Sequence, residues 1–269
     1  MRLLRALSLD VVAGAACGGL LAEFVTGARM LPVWWIALLT AVWSIYTGDH
    51  LLDAFSARGP LATHRHDFHR RHARALTIGL AAAVLCGLVA SIALRPPVRA
   101  MGLALTALVL CYLASAQGLV LRSLPKEPMA GLLYAAGIWG GPLIMSDAAP
   151  WQLGAAGLHA AAAVLNLAAL GLFETEVDRQ QGSRSLGLRF GPARVRRAVL
   201  VLSLVFCWLA LWMAFKAPHA ALPAFAVLSA QIAMPAAMLL ASDWFTQAER
   251  YRVWGDSVFF LGALPRLLA

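Results

Sequence analysis

Ala75-Leu-Thr-Ile-Gly-Leu-Ala-Ala-Ala-Val-Leu-Cys-Gly-Leu-Val-Ala-Ser-Ile-Ala-Leu94 runs for twenty residues without a charged side chain. Arg74 precedes it and Arg95-Pro96-Pro97 closes it. At 1.5 Å per residue, a helix of that length measures about 30 Å, the thickness of a bilayer's hydrocarbon core. Leu and Ala follow one another without the period-two alternation of a barrel strand, so the stretch reads as a membrane-spanning helix. Comparable apolar runs recur along the whole chain. The candidate spans are roughly 7–28, 31–53, 75–94, 99–120, 129–146, 151–173, 198–216, 220–241 and 253–268, punctuated by Pro32, Pro96, Pro97, Pro125, Pro128, Pro150 and Pro218. The predicted fold is all-α: a polytopic membrane protein of about nine transmembrane helices, forming a single domain over residues 1–269.

Composition supports the class. Hydrophobic residues make up 61% of the 269 positions and charged residues 13%. Mean hydropathy is +0.74. One soluble core of this length could not bury so much apolar surface, whereas lipid covers the excess. The net charge of +9 does not indicate a nucleic-acid partner. The basic residues lie in short loops between apolar runs, where anionic lipid headgroups are the simpler partner. With the N-terminus inside, seventeen of the 22 Lys and Arg residues fall on the inner side of a nine-span arrangement. The start, with Arg2 and Arg5 before an apolar run, mimics a signal peptide and is read as a retained first helix. The expected location is an integral, multi-pass protein of a bacterial inner membrane with its N-terminus cytoplasmic. The four cysteines (Cys17, Cys86, Cys111, Cys207) lie in apolar segments without metal-ligand spacing, and read as small apolar residues.

Two acidic pairs stand out. Asp49 and Asp53 end the second span, and Glu174 and Asp178 end the sixth. In each pair the four-residue spacing puts both carboxylates on one helical face. Asp53 and Asp178 are 125 residues apart, an interval of four spans that returns the chain to the same membrane side. Carboxylates at membrane depth are costly and mutually repulsive when paired in this way. A hard divalent cation such as Mg²⁺, which commonly takes one or two carboxylates together with substrate phosphate oxygens, would offset both costs. A single pair is more often a helix end solvated by headgroup water; two on one side, each beside a basic loop, favour a site.

The stretch Glu174-Thr-Glu-Val-Asp178-Arg-Gln-Gln-Gly182-Ser-Arg184-Ser185-Leu186-Gly-Leu-Arg-Phe-Gly191 resembles the second aspartate-rich motif of UbiA-superfamily intramembrane prenyltransferases. Asp49-x-x-x-Asp53 resembles the end of that family's first motif. The chain departs from the pattern in the residues ahead of Asp49, where the leading Asn and Asp are absent, and at Leu170, where another Asp often stands. The resemblance implies nine helices around a central cavity, with both motifs near the cytoplasmic side. It also implies an enzyme in which Mg²⁺, held by Asp49, Asp53, Glu174 and Asp178, assists departure of diphosphate from a prenyl diphosphate. An aromatic or other electron-rich lipophilic acceptor then captures the prenyl cation. Arg58, Lys126 and Arg184 are the candidate diphosphate clamps, their alternative role being topology signal or headgroup contact. Tyr46 and Tyr134 are candidates for lining the cavity or for ordinary core packing. Asn166, two turns before Glu174, is placed to present its amide to that cavity or to a neighbouring helix.

The run His64-Arg-His66-Asp-Phe-His69-Arg-Arg-His72 offers ligands for a transition metal. Five arginines between Arg58 and Arg74 oppose a cation there, so the segment reads as a phosphate- or headgroup-facing cover. Trp34, Trp35, Trp151, Trp244 and Trp254 read as interfacial anchors. The competing function is a transporter or lipid-binding protein on the same scaffold, in which the acids relay protons or cations. A relay needs acids near the midplane, whereas these lie at inner ends.

Overall fold

The computed structural model describes residues 7–56, 64–116, 126–180 and 185–268, without the side chains of 53–56, 64–67 and 116. Among them there is no strand. The long helices are α1 (Leu9–Thr26), α2 (Pro32–Ser56), α3 (Ala73–Ile92), α4 (Pro96–Ala116), α5 (Lys126–Ile144), α6 (Pro150–Phe173), α7 (Pro192–Lys216) and α8 (Leu222–Leu240). The helix Arg250–Ser257, α9, opens the C-terminal segment. Proline begins α2, α4, α6 and α7, where its fixed φ suits a helix and its missing N–H is no loss. Gly27, at φ 69°, closes α1 by donating its N–H to the Glu23 carbonyl at 2.9 Å.

Among the described residues, six segments are long and apolar enough to cross a membrane: α1, α3, α4, α6, α7 and His219–Leu240. The predicted spans at 31–53 and 129–146 correspond to α2, of 25 residues, and α5, of 19. The predicted span 253–268 is not one helix. Past α9 it becomes a 3₁₀ segment, Val258–Ala263, and then a short helix, Leu264–Leu268. The chain is a multi-pass helical membrane protein. Its outward faces are apolar: Ile78 and Leu85 on α3, Leu103 and Leu110 on α4, and Leu204, Trp208 and Phe215 on α7 are all exposed, as surfaces meeting lipid should be.

The interior is built from α1, α5, α6, α8 and the C-terminal segment. Ile138, Leu158, Phe225, Leu228 and Ile232 are fully buried there. Close approach depends on small residues. A Cβ at Gly131 would lie 2.8 Å from the backbone nitrogen of Val164, so α5 and α6 touch almost backbone to backbone. That contact brings the start of α5 beside the end of α6, where the acidic motif begins. We expect Gly131→Ala to destabilise the fold by about 1–3 kcal/mol, as overpacking does, read as a lower thermal midpoint in detergent. At the opposite face, Gln152 of α6 donates through Nε2 to the Val25 carbonyl of α1 at 2.8 Å and accepts from the Ala149 N–H at 2.7 Å.

Candidate functional site

The acidic motif sits on a break at the end of α6. Glu174 leaves helical geometry (φ −101°, ψ 6°) while its N–H still donates to the Leu170 carbonyl. Thr175 donates its hydroxyl back to the carbonyls of Leu172 at 2.9 Å and Gly171 at 3.1 Å, a local bond that competes with straight helix. The helix Thr175–Gln180 then continues, with the Asp178 N–H on the Glu174 carbonyl at 2.9 Å.

Both acids of the pair meet cations from other helices. Asp178 is 6% exposed, and its Oδ1 lies 3.5 Å from Lys126 Nζ at the start of α5. Glu174 Oε1 lies 3.1 Å from Arg252 Nη2 on α9. The neighbouring Glu127 is 4% exposed. Its Oε1 accepts the Leu186 N–H at 2.8 Å, so α5 also anchors the segment that follows the acidic motif. The remaining acid of the motif, Glu176, points outward and pairs with Arg179 at 2.6 Å.

Of the predicted site residues, the structure pairs Asp178 with Lys126, one turn beyond Glu174, which pairs instead with Arg252. Asp49 lies near the end of α2 and is half-buried. Arg58, Arg184 and the Asp53 side chain lie outside the described residues. Tyr134 packs between His159, stacked at 6.2 Å, and Phe259, edge-on at 6.1 Å; Tyr46 and Asp256 lie within electrostatic reach of its hydroxyl. Asn166 is 3% exposed, and its amide abuts Gly255 of α9, where a Cβ would stand 2.9 Å from Oδ1. His69 is fully buried and edge-on to His50 at 5.2 Å, so the basic segment packs on the end of α2 next to Asp49.

Arg252 and Glu127 are absent from the sequence reading of the site. Arg252 carries the signal that singled out the acidic pairs, a charge at the inner end of an apolar run, with Asp256 four residues on. In the sequence alone it is one of the seventeen inner-side basic residues that set topology. Among the described residues, no group of three or more His, Cys, Asp or Glu could hold a metal by itself. Mg²⁺ needs no such cluster, because it uses one or two carboxylates and completes its shell with phosphate oxygens and water. The oxygen-only donors Glu174 and Asp178 fit that requirement and suit no softer metal.

No protein-family model and no curated protein matches this chain. Solved structures do. A UbiA homologue from Aeropyrum pernix K1 in its apo form superposes with TM-score 0.66 at 14% identity, over 97% of this chain and 98% of that one. A UbiA homologue from Archaeoglobus fulgidus, bound to GPP and Mg²⁺, gives 0.59 at 15% identity over 96% and 98%. A structure of digeranylgeranylglyceryl phosphate synthase gives 0.57 at 11% identity over 98% and 99%. The protein has the fold of UbiA homologues across its whole described length.

Proposed function

We propose that this chain is a divergent UbiA-superfamily prenyltransferase, which moves a prenyl group from a prenyl diphosphate to an aromatic or other electron-rich lipophilic acceptor. The observation that carries the reading is the meeting of Glu174 and Asp178 with Lys126 and Arg252 at one end of the bundle. Supporting it, the Archaeoglobus fulgidus homologue of the same fold binds GPP and Mg²⁺. Glu174 and Asp178, with Asp49 and Asp53 from α2, would hold Mg²⁺, which supplies Lewis-acid stabilisation of the departing diphosphate. Lys126 adds a fixed positive charge toward the same leaving group, as would Arg58 and Arg184. The prenyl carbon–oxygen bond breaks with its electron pair going to diphosphate. The allylic cation forms a bond to the acceptor, which then loses a proton. The basic residues gathered at this end support a cytoplasmic site in a bacterial inner membrane.

The test uses purified protein with geranyl diphosphate. Binding in the presence of Mg²⁺ that EDTA abolishes, together with transfer of labelled geranyl to a panel of phenolic or quinol acceptors, is the expected result. Binding that is indifferent to EDTA would remove the enzyme reading.

A further inference from the structure

The register between α6 and α9 is set by aromatic stacking. Phe173 and Tyr251 lie face to face, with ring centroids 4.7 Å apart and planes inclined by 7°. The next residue on each strand of that contact is Glu174 and Arg252, which meet at 3.1 Å. Their side chains are 28% and 13% exposed. The guanidinium also meets Tyr251 Oη at 3.3 Å and Glu249 at 3.8 Å through Nε, and lies 5.7 Å from the centroid of the Tyr251 ring. Its Nη1 makes no hydrogen bond among the described residues. Lys126 mirrors this arrangement on Asp178.

We propose that Arg252 is a specificity-determining residue of the acidic site, making occupancy by a divalent cation conditional on diphosphate. The proposal rests on reading Glu174 and Asp178 as metal-holding carboxylates. With Arg252 and Lys126 in place, each of those acids already has a cation. A bare dication entering the site gains little attraction and meets a guanidinium in contact with one of its own ligands. A diphosphate reverses the balance, because its oxygens accept from the guanidinium while the metal takes the carboxylates. Arginine suits this exchange. Its five donors in a rigid fork let Nη1 engage an anion while Nη2 keeps Glu174, which a lysine ammonium does less well.

The signature is a pair of opposite changes. Mn²⁺ binding without diphosphate is read by the loss of the free-ion EPR signal, and geranyl diphosphate binding with saturating Mg²⁺ by calorimetry. Arg252→Gln should bind Mn²⁺ about tenfold more tightly and geranyl diphosphate about tenfold more weakly, the scale of one charge-assisted hydrogen bond. Arg252→Lys should leave Mn²⁺ binding near the original value and still weaken geranyl diphosphate binding. If Arg252→Gln does not fold, Arg252→Lys decides alone, and unchanged diphosphate affinity overturns the proposal. A purely structural ion pair would lower the thermal midpoint while leaving both constants unchanged or moving them the same way, and either result overturns it. Glu174→Gln separates the two levels. If it leaves Mn²⁺ binding intact, the metal site itself is misplaced. If it weakens Mn²⁺ binding while Arg252→Gln lacks the opposite signs, only the role of Arg252 falls.

Discussion

Asp178→Asn lowers affinity for geranyl diphosphate in the presence of Mg²⁺ by about 100-fold or more, since changes even outside a metal's own ligands cost 10–100-fold. What binding remains no longer responds to EDTA. A neutral amide keeps the shape of the carboxylate but not the charge that a hard cation requires. Helical spacing alone predicts a gain in stability, from relief of repulsion between Asp178 and Glu174. The structure changes that expectation, because Asp178 also faces Lys126 at 3.5 Å. The lysine side chain is 40% exposed, so water takes over much of its solvation and the net cost stays below about 1 kcal/mol. Calorimetry with and without EDTA, alongside a thermal melt, checks both halves. A large drop in melting temperature would mark Asp178 as structural.

Glu127→Ala has the opposite profile: a large loss of stability, about 2–3 kcal/mol, with loss of diphosphate binding following from it. The carboxylate is 4% exposed and accepts the Leu186 N–H at 2.8 Å. Deleting it leaves that part-buried donor without its acceptor, which costs more than exchanging one partner for another. The anchored segment opens with the Ser185–Leu186 step at the start of the helix Leu186–Phe190. Glu127→Gln keeps an acceptor oxygen and should fall between the parent and the alanine variant in a thermal melt. Equal melting temperatures for all three would show that the Leu186 contact carries no weight.

Features that depend on one stretch of chain were readable in advance. Apolar runs of twenty residues and the prolines at helix starts mark most of the long helices to within a few residues. The exceptions are α7, which begins at Pro192, six residues before the apolar run at 198–216, and the run at 99–120, whose end lies outside the described residues. Charges are so rare beside such runs that Asp49, Glu174 and Asp178 stood out. Partners from distant elements did not. The Glu127–Leu186 bond spans 59 residues, and no periodicity announces it. The break in the final span has a tertiary cause too. Gly262 lies so close to α1 that a Cβ there would be 2.7 Å from the Cys17 carbonyl, and the segment adopts 3₁₀ geometry against that neighbour. Trp34 fails as an anchor for a similar reason. It is 4% exposed, edge-on to Trp35 at 4.9 Å, and a Cβ on Gly141 would fall against its indole nitrogen. A glycine on another helix made room for a ring that spacing had assigned to the interface.

The two ion pairs differ in the order in which a ribosome makes their members. Lys126 precedes Asp178, so that acid finds its cation already in the membrane when it arrives. Glu174 is synthesised 78 residues ahead of Arg252. Its contact with Arg252 forms only once α9 has been made and Tyr251 has closed on Phe173. Until then the end of α6 lacks its tie to α9, and a half-made bundle exposes apolar surface. Docking of α9 is therefore the step that closes the acidic end of the bundle. A chain cut short before Arg252 would keep its earlier helices and lack that closure.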